Sequence, residues 1–283
     1  MPTLILLCSE SNIVIKKRSM ENDHMSQPPV SFIGAGPGDP ELLTIKAQRL
    51  IQEADLVLYA GSLVPREVLS WAKDNAEIMD SSGMTLEQTH AALVQCVHQG
   101  HKAARVHTGD PSLYGAVLEQ MRLLQQEGID YQVIPGITAA FAAAAQAGIS
   151  FTIPELTQTL IFTRMRGRTL VPDKERLQTL AAHHCSLAIY LSASLVQDMV
   201  QELRTGGLPD TTPICVGSSV GWPGEEMLWT DLAHVEQDVS DRGITRQAVF
   251  LVLPGQAGGQ SQVSRLYSPD FSHGFRSARM NDA

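Results

Sequence analysis

From residue 30 to residue 147, short apolar runs alternate with stretches whose apolar positions recur at helical spacing. Residues 30–33, 55–59, 102–107 and 131–134 read as strands. Between them, 41–54 reads as a helix with Leu42, Ile45, Leu50 and Ile51 on one face. Residues 85–99 read as a helix that Thr85 caps and that buries Leu86, Leu93 and Val97. A third helix, 114–126, stops at Gly128, and an alanine-rich fourth, 138–147, stops at Gly148. Repeated strand–helix–strand units predict a parallel sheet whose ligand sites lie at the carboxyl ends of the strands.

The pattern changes at the proline-containing linker 149–155. Beyond it, 160–163, 187–191, 213–216 and 249–253 read as strands, and 173–183 and 196–205 as helices. The fold class is therefore α/β, with two α/β domains over 29–150 and 154–255, the first built on a mainly parallel sheet. Residues 1–28 read as a disordered N-terminal extension and 256–283 as a disordered Gly-, Ser- and Gln-rich tail. A length of 283 residues fits two such domains.

Composition narrows the function classes. Hydrophobic residues make up 43% and charged residues 18%, which suits packed cores. The net charge of −9, with no lysine-rich block, argues against nucleic acid as a partner. Cys8, Cys96, Cys185 and Cys215 are far apart, so neither a zinc site nor a disulfide framework is expected. His90 and His98 lie eight apart on one helix without a third ligand, so no metal is expected there either. The apolar run Leu4-Ile5-Leu6-Leu7-Cys8 is too short to span a bilayer, and no basic segment precedes it. The expectation is a cytoplasmic protein away from membranes, with Met25 a better natural start than Met1.

The sharpest chemical signal is the turn Gly34-Ala35-Gly36-Pro37-Gly38-Asp39, between the first strand and the first helix. A dinucleotide fingerprint wants G-x-G-x-x-G; here the glycines fall at 34, 36 and 38, and Pro37 removes a backbone N–H that a pyrophosphate would use. The ribose-binding acid is missing after the second strand, where Tyr59-Ala60-Gly61 stands. No Gly-Lys-Ser/Thr follows, which excludes a P-loop. The plain alternative is a tight turn without a ligand. Two further small-residue loops, His107-Thr108-Gly109-Asp110-Pro111-Ser112-Leu113-Tyr114-Gly115 and Pro135-Gly136-Ile137-Thr138-Ala139-Ala140, follow the third and fourth strands. Three such loops at one sheet edge predict a cleft for a flat, polar ligand.

The segments VSFIGAGPGDPELLT, DLVLYAGSLVP, ARVHTGDPSLYGA, YQVIPGITAAFAAAA and TRMRGRTLVP resemble the tetrapyrrole (class III) S-adenosylmethionine-dependent methyltransferases over roughly residues 29–255. YAGSLVP, HTGDPSLYG and the RGRTLVP segment bring the resemblance closest to members that act on corrin precursors. It implies two α/β domains with S-adenosylmethionine in the cleft between them, a tetrapyrrole substrate, no metal and a homodimer. Carried over along the motifs, Gly36 and Pro37 border the cofactor, and Thr108, Gly109 and Asp110 contact its methionine part. Leu113 lines the same pocket, Thr138 and Ala139 form the next cofactor segment, and Leu191 lies against the adenine. The chain departs from the family at Val216-Gly217-Ser218-Ser219-Val220-Gly221-Trp222-Pro223, where a Tyr-Arg-Ala-Ser-like run is usual. A cationic and aromatic contribution is missing there.

A tetrapyrrole carries many carboxylates, which arginines can clamp bidentately. Arg66, Arg164 and Arg168, with Arg166 beside them, are the substrate-binding expectations; solvated loop arginines are the bland alternative. His107 is expected at the cleft, either titrating near neutrality or holding its turn. Tyr59 and Tyr114 face either the crevice or the core. The residues single out no proton-accepting base. Methylation at another ring position, a different substrate of the same fold, a nicotinamide oxidoreductase and a non-enzymatic tetrapyrrole carrier remain the rival readings.

Overall fold

The computed structural model describes residues 29–257, 264 and 267–277. The 1–28 extension and Met25 lie outside them. The first sheet is all parallel, with strands β1 (Val30–Gly34), β2 (Leu56–Tyr59), β3 (Glu77–Asp80), β4 (Ala103–His107) and β5 (Tyr131–Ile134) in the order β3-β2-β4-β1-β5. Helix α1 (Ile45–Glu53) covers one face, where Ala47, Leu50 and Ile51 meet Ile33, Val57, Ala104 and Val106. Helices α2 (Leu86–His98) and α3 (Val117–Gln126) cover the other, with Leu93, Cys96 and Leu124 on Val30, Phe32, Leu56 and Leu58. Full burial of each large side chain contributes about 1.5–3 kcal/mol. Because β1 lies between β4 and β5, the loops after these three strands are neighbours.

The second sheet has the order β6-β7-β10-β8-β9, with strands β6 (Leu160–Arg164), β7 (Ser186–Tyr190), β8 (Pro213–Ser218), β9 (Glu226–Asp231) and β10 (Ala248–Val252). Only β6 and β7 run parallel; the other pairs are antiparallel. Helices α5 (Leu177–Ala181), α6 (Val196–Thr205) and α7 (Val235–Asp241) cover one face of it. The alanine-rich helix α4 (Ala139–Gln146) covers the other: Ala140, Ala143 and Ala144 pack on Ala188, Cys215, Val249 and Leu251. A Cβ on Gly217 would come within 2.9 Å of the Ala143 Cβ, so small residues on both partners set this close approach. By packing, α4 belongs to the second layer system, although the sequence pattern groups it with the first.

Several boundaries differ from the pattern. The expected helix 41–54 splits: Asp39 caps a 3-10 turn (Pro40–Leu42) by accepting from the Glu41 N–H at 2.8 Å, and Thr44 starts α1 by accepting from the Ala47 N–H at 3.1 Å. Ile45 is thereby 86% exposed instead of buried. Thr85 caps α2 in a capping box with Gln88, but the buried positions include Thr89 and Cys96, and Leu86 is exposed. The third helix begins at Val117, because Tyr114 and Ala116 have left-handed φ values of 57° and 46°. The helix expected over 173–183 breaks at the extended Arg176. A 3-10 turn (Pro254–Gln256) closes the second domain, and within the expected tail 256–283 a turn is bridged between His273 and Arg276. Cys96, Cys185 and Cys215 are buried free thiols; Cys8 lies outside the described residues. Among the described residues no helix is long and apolar enough to cross a membrane.

Candidate active site

The carboxyl edge of the first sheet faces the second domain across a cleft of about 470 Å³. Of the nine cofactor-site expectations, eight line it: Pro37, Thr108, Gly109, Asp110, Leu113, Thr138, Ala139 and Leu191. Ser62 and Leu63, Tyr114 and Tyr190, the 192–194 turn, and Gly217, Ser219, Val220, Trp222 and 245–249 complete the wall. Gly36 is not part of the lining. Its N–H donates to the Gly109 carbonyl at 3.2 Å and its carbonyl accepts from the Gly109 N–H at 2.7 Å, so it holds the second loop in place.

The glycines divide into two kinds. A Cβ on Gly34 would stand 2.5 Å from the Gly136 nitrogen and 2.6 Å from the Gly109 oxygen, and one on Gly136 would stand 2.1 Å from that oxygen. These two permit loop-on-loop contact. Gly109, at φ +58°, is different: a Cβ there would meet only the Thr138 Cα, at 3.8 Å, and would otherwise enter open space at the cleft wall.

Asp110 buckles the loops together. Its Oδ2 accepts from the Gly136 N–H at 2.9 Å, and its Oδ1 accepts from the Ser112 N–H at 2.9 Å and from the Ser112 hydroxyl. Burial would raise this carboxyl, but the hydrogen bonds from Ser112 and Gly136 outweigh it and hold the group below the usual carboxylate range. Across the cleft, the Tyr190 hydroxyl bonds Thr138 Oγ1 at 2.6 Å and accepts from the Ala140 N–H at 2.9 Å. A side chain of the second domain thus satisfies the N-terminus of α4. The Tyr114 ring lies 5.8 Å from that of Tyr190, and burial raises both phenols. Tyr114 therefore faces the crevice, whereas Tyr59 is a buried core residue.

His107 does not line the cleft and does not titrate near neutrality. It is 4% exposed against Phe32, and burial, with the nearby Arg105 charge, lowers it to about 3. Arg105 is itself buried on Gln120 Oε1 and the Leu58 carbonyl, and burial lowers it to about 10.

The arginines expected at the substrate are spread out. Arg164 donates to three backbone carbonyls, those of Met165 at 3.2 Å, Thr169 at 3.3 Å and Leu170 at 2.9 Å, and so shapes the loop after β6. Arg166 lies 3.9 Å from Asp173. Arg66 and Arg168 are exposed and do not line the cleft. The sequence reading missed Trp222, Tyr190 and Arg246, all of which line it. Trp222-Pro223 stood out only as part of a departure from the family pattern, and no spacing along the chain linked Tyr190 to Thr138.

Residues 29–236 match the model of the Tetrapyrrole (Corrin/Porphyrin) Methylases. The chain belongs to the tetrapyrrole methylases. Among relatives in that family, a cobalt-precorrin-4 C(11)-methyltransferase of Priestia megaterium is 43% identical over 248 residues, covering 87% of this chain and 96% of that one. A precorrin-4 C(11)-methyltransferase of Pseudomonas aeruginosa is 41% identical over 247 residues, covering 87% and 98%. The X-ray structure of a cobalt precorrin-4 methyltransferase superimposes with a TM-score of 0.78 at 42% identity, over 80% of this chain and 95% of that one. A uroporphyrin-III C-methyltransferase of Thermus thermophilus, solved with S-adenosylhomocysteine, gives 0.66 at 25% identity, over 81% and 97%. The tetrapyrrole-methylase fold accounts for the parallel first sheet and the mixed second sheet.

Proposed function

We propose that this chain transfers a methyl group from S-adenosylmethionine to C11 of precorrin-4, in its metal-free or cobalt form, in cobalamin biosynthesis. The observation that carries this reading is the meeting of Pro37, Thr108–Asp110, Leu113, Thr138, Ala139 and Leu191, dispersed along the sequence, in one cleft. The residues suit the donor. Open space at Gly109 leaves room for a ligand against the backbone. The Asp110 carboxylate stays charged and keeps acceptor capacity beyond its present partners for an ammonium group. Leu191, Ala193, Val220 and Val249 offer an apolar wall for an adenine.

S-adenosylmethionine supplies an electrophilic methyl group on a sulfonium, which needs neither a metal nor a nucleophilic side chain. The protein's own task is orientation. The loops pinned by Asp110 and the helix start held by Tyr190 fix both walls, and such pre-alignment can lower a barrier by up to ~7–11 kcal/mol. Arg66 and Arg168 are proposed as outer contacts for substrate carboxylates, and the working form as a cytoplasmic homodimer. Calorimetric titration with S-adenosylhomocysteine and with NADH tests the reading: the first is expected to bind and the second not, and binding of NADH alone would overturn it.

A further inference from the structure

The charge inventory of the cleft is unusually short. Among the described residues that line it, Asp110 is the only carboxylate and Arg246 the only cation. Asp110 has N–H or O–H donors on both oxygens. The Arg246 side chain is exposed and makes no ion pair or hydrogen bond with any described residue. A guanidinium at a cleft wall with all its donors free matches the planar geometry of a carboxylate.

The backbone beside it is held in a costly conformation. Gln247 has φ +51° and Ser219 has φ +50°, both left-handed without being glycine, and the Ser219 N–H donates to the Gln247 carbonyl at 2.8 Å. Left-handed backbone at two non-glycine residues persists only where the surroundings fix it, and such strain clusters at ligand sites. This bond ties the residue after Arg246 to the end of the 216–219 segment, and both lie at the cleft wall.

We infer that Arg246 binds a peripheral carboxylate of the tetrapyrrole and orients the macrocycle in the cleft. The inference rests on the methyltransferase reading. It commits to the corrinoid's carboxylate and not to that of the methionine part of the donor.

The test compares wild type with R246Q and R246K, measuring KM and kcat for precorrin-4 in both metal states and S-adenosylhomocysteine affinity by calorimetry. Loss of one charge-assisted bidentate contact is expected to raise KM for the tetrapyrrole about tenfold or more in R246Q, with S-adenosylhomocysteine affinity held within about twofold. R246K is expected to recover part of the loss. The wild-type KM should rise with ionic strength more steeply than that of R246Q, because salt screens a charge pair and not an amide. An unchanged KM, or a loss that falls on S-adenosylhomocysteine instead, overturns the inference while leaving the methyltransferase reading intact. A wild-type chain that neither binds S-adenosylhomocysteine nor transfers a methyl group overturns both.

Discussion

The indole N–H of Trp222, in the second domain, donates to the carbonyl oxygen of Pro37, in the first glycine loop, at 3.1 Å. The ring lies so close to Gly38 that a Cβ there would stand 2.5 Å from Trp222 Cδ1. The neighbouring turn is braced as well, since Glu225 Oε2 accepts from the Gly221 N–H at 2.6 Å. One cleft wall is therefore fixed by the other domain. Trp222→Phe keeps an aromatic ring, though a smaller one, and removes the donor, so S-adenosylhomocysteine affinity should fall by about 0.5–1.5 kcal/mol, roughly 2- to 13-fold, by calorimetry. Gly38→Ala should cost more than that, because it pushes the ring away.

Gly34 and Gly109 should fail in different ways. Gly34→Ala forces a Cβ onto two backbone atoms of neighbouring loops, and overpacking of this kind costs about 1–3 kcal/mol or more. Its signature is a lowered Tm. Gly109→Val places a β-branched side chain at the cleft wall and at a left-handed φ of +58°, so it lowers Tm as well, and the fraction that folds should show no calorimetric signal with S-adenosylhomocysteine. A Gly109→Val protein that binds with wild-type affinity would refute the placement of the ligand.

Tyr190→Phe removes the phenol that serves both Thr138 and the Ala140 N–H. An orphaned amide at the start of α4 costs about 1–3 kcal/mol. Denaturant unfolding should show the loss in the midpoint. S-adenosylhomocysteine affinity should weaken with it, since Thr138 and Ala139 line the cleft.

His107 sets a pH dependence of stability. Its ordinary value of 6.5 is lowered to about 3 in the fold, so the unfolded chain binds a proton that the folded chain does not. The stability linked to the neutral ring is full above about 6.5, falls as the pH drops below it, and stops falling near 3. His107→Gln should flatten the decline of Tm across that window. The variant's pH–activity profile between pH values of about 7 and 8 should match wild type, because the ring is neutral there.

Arg164 and Arg168 should separate. Arg164→Ala releases three carbonyls of the 165–170 loop and should lower Tm as well as raise KM. Arg168→Ala has no such partners and should raise KM for the tetrapyrrole without moving Tm. Equal effects of both on Tm would contradict the division.

Much of the fold was legible because its core strands are short, apolar and punctuated. β1, β2, β4 and β5 lie near the positions that periodicity assigns, and the glycines at 128 and 148 end their helices at left-handed φ values of 71° and 65°. The edge strands β3 and β9 were missed for a physical reason. Ile78 and Trp229 face solvent, so neither run carries an alternating apolar signal. The cleft was legible loop by loop, but the work of each glycine was not. The sequence shows glycines at 34 and 136 in small-residue loops, and only the packed loops show that each is small for the other. His107, at the end of a strand, left both a titrating cleft residue and a turn-holding one open, and only the structure shows its side chain turned onto Phe32.

The most direct test is methyl transfer itself. The purified chain is incubated with methyl-labelled S-adenosylmethionine and either precorrin-4 or its cobalt form, and the labelled carbon is located by nuclear magnetic resonance. The account predicts a single added methyl group at C11 with at least one of the two substrates. A label at any other ring carbon, or no transfer to either form by a chain that binds S-adenosylhomocysteine, would contradict it.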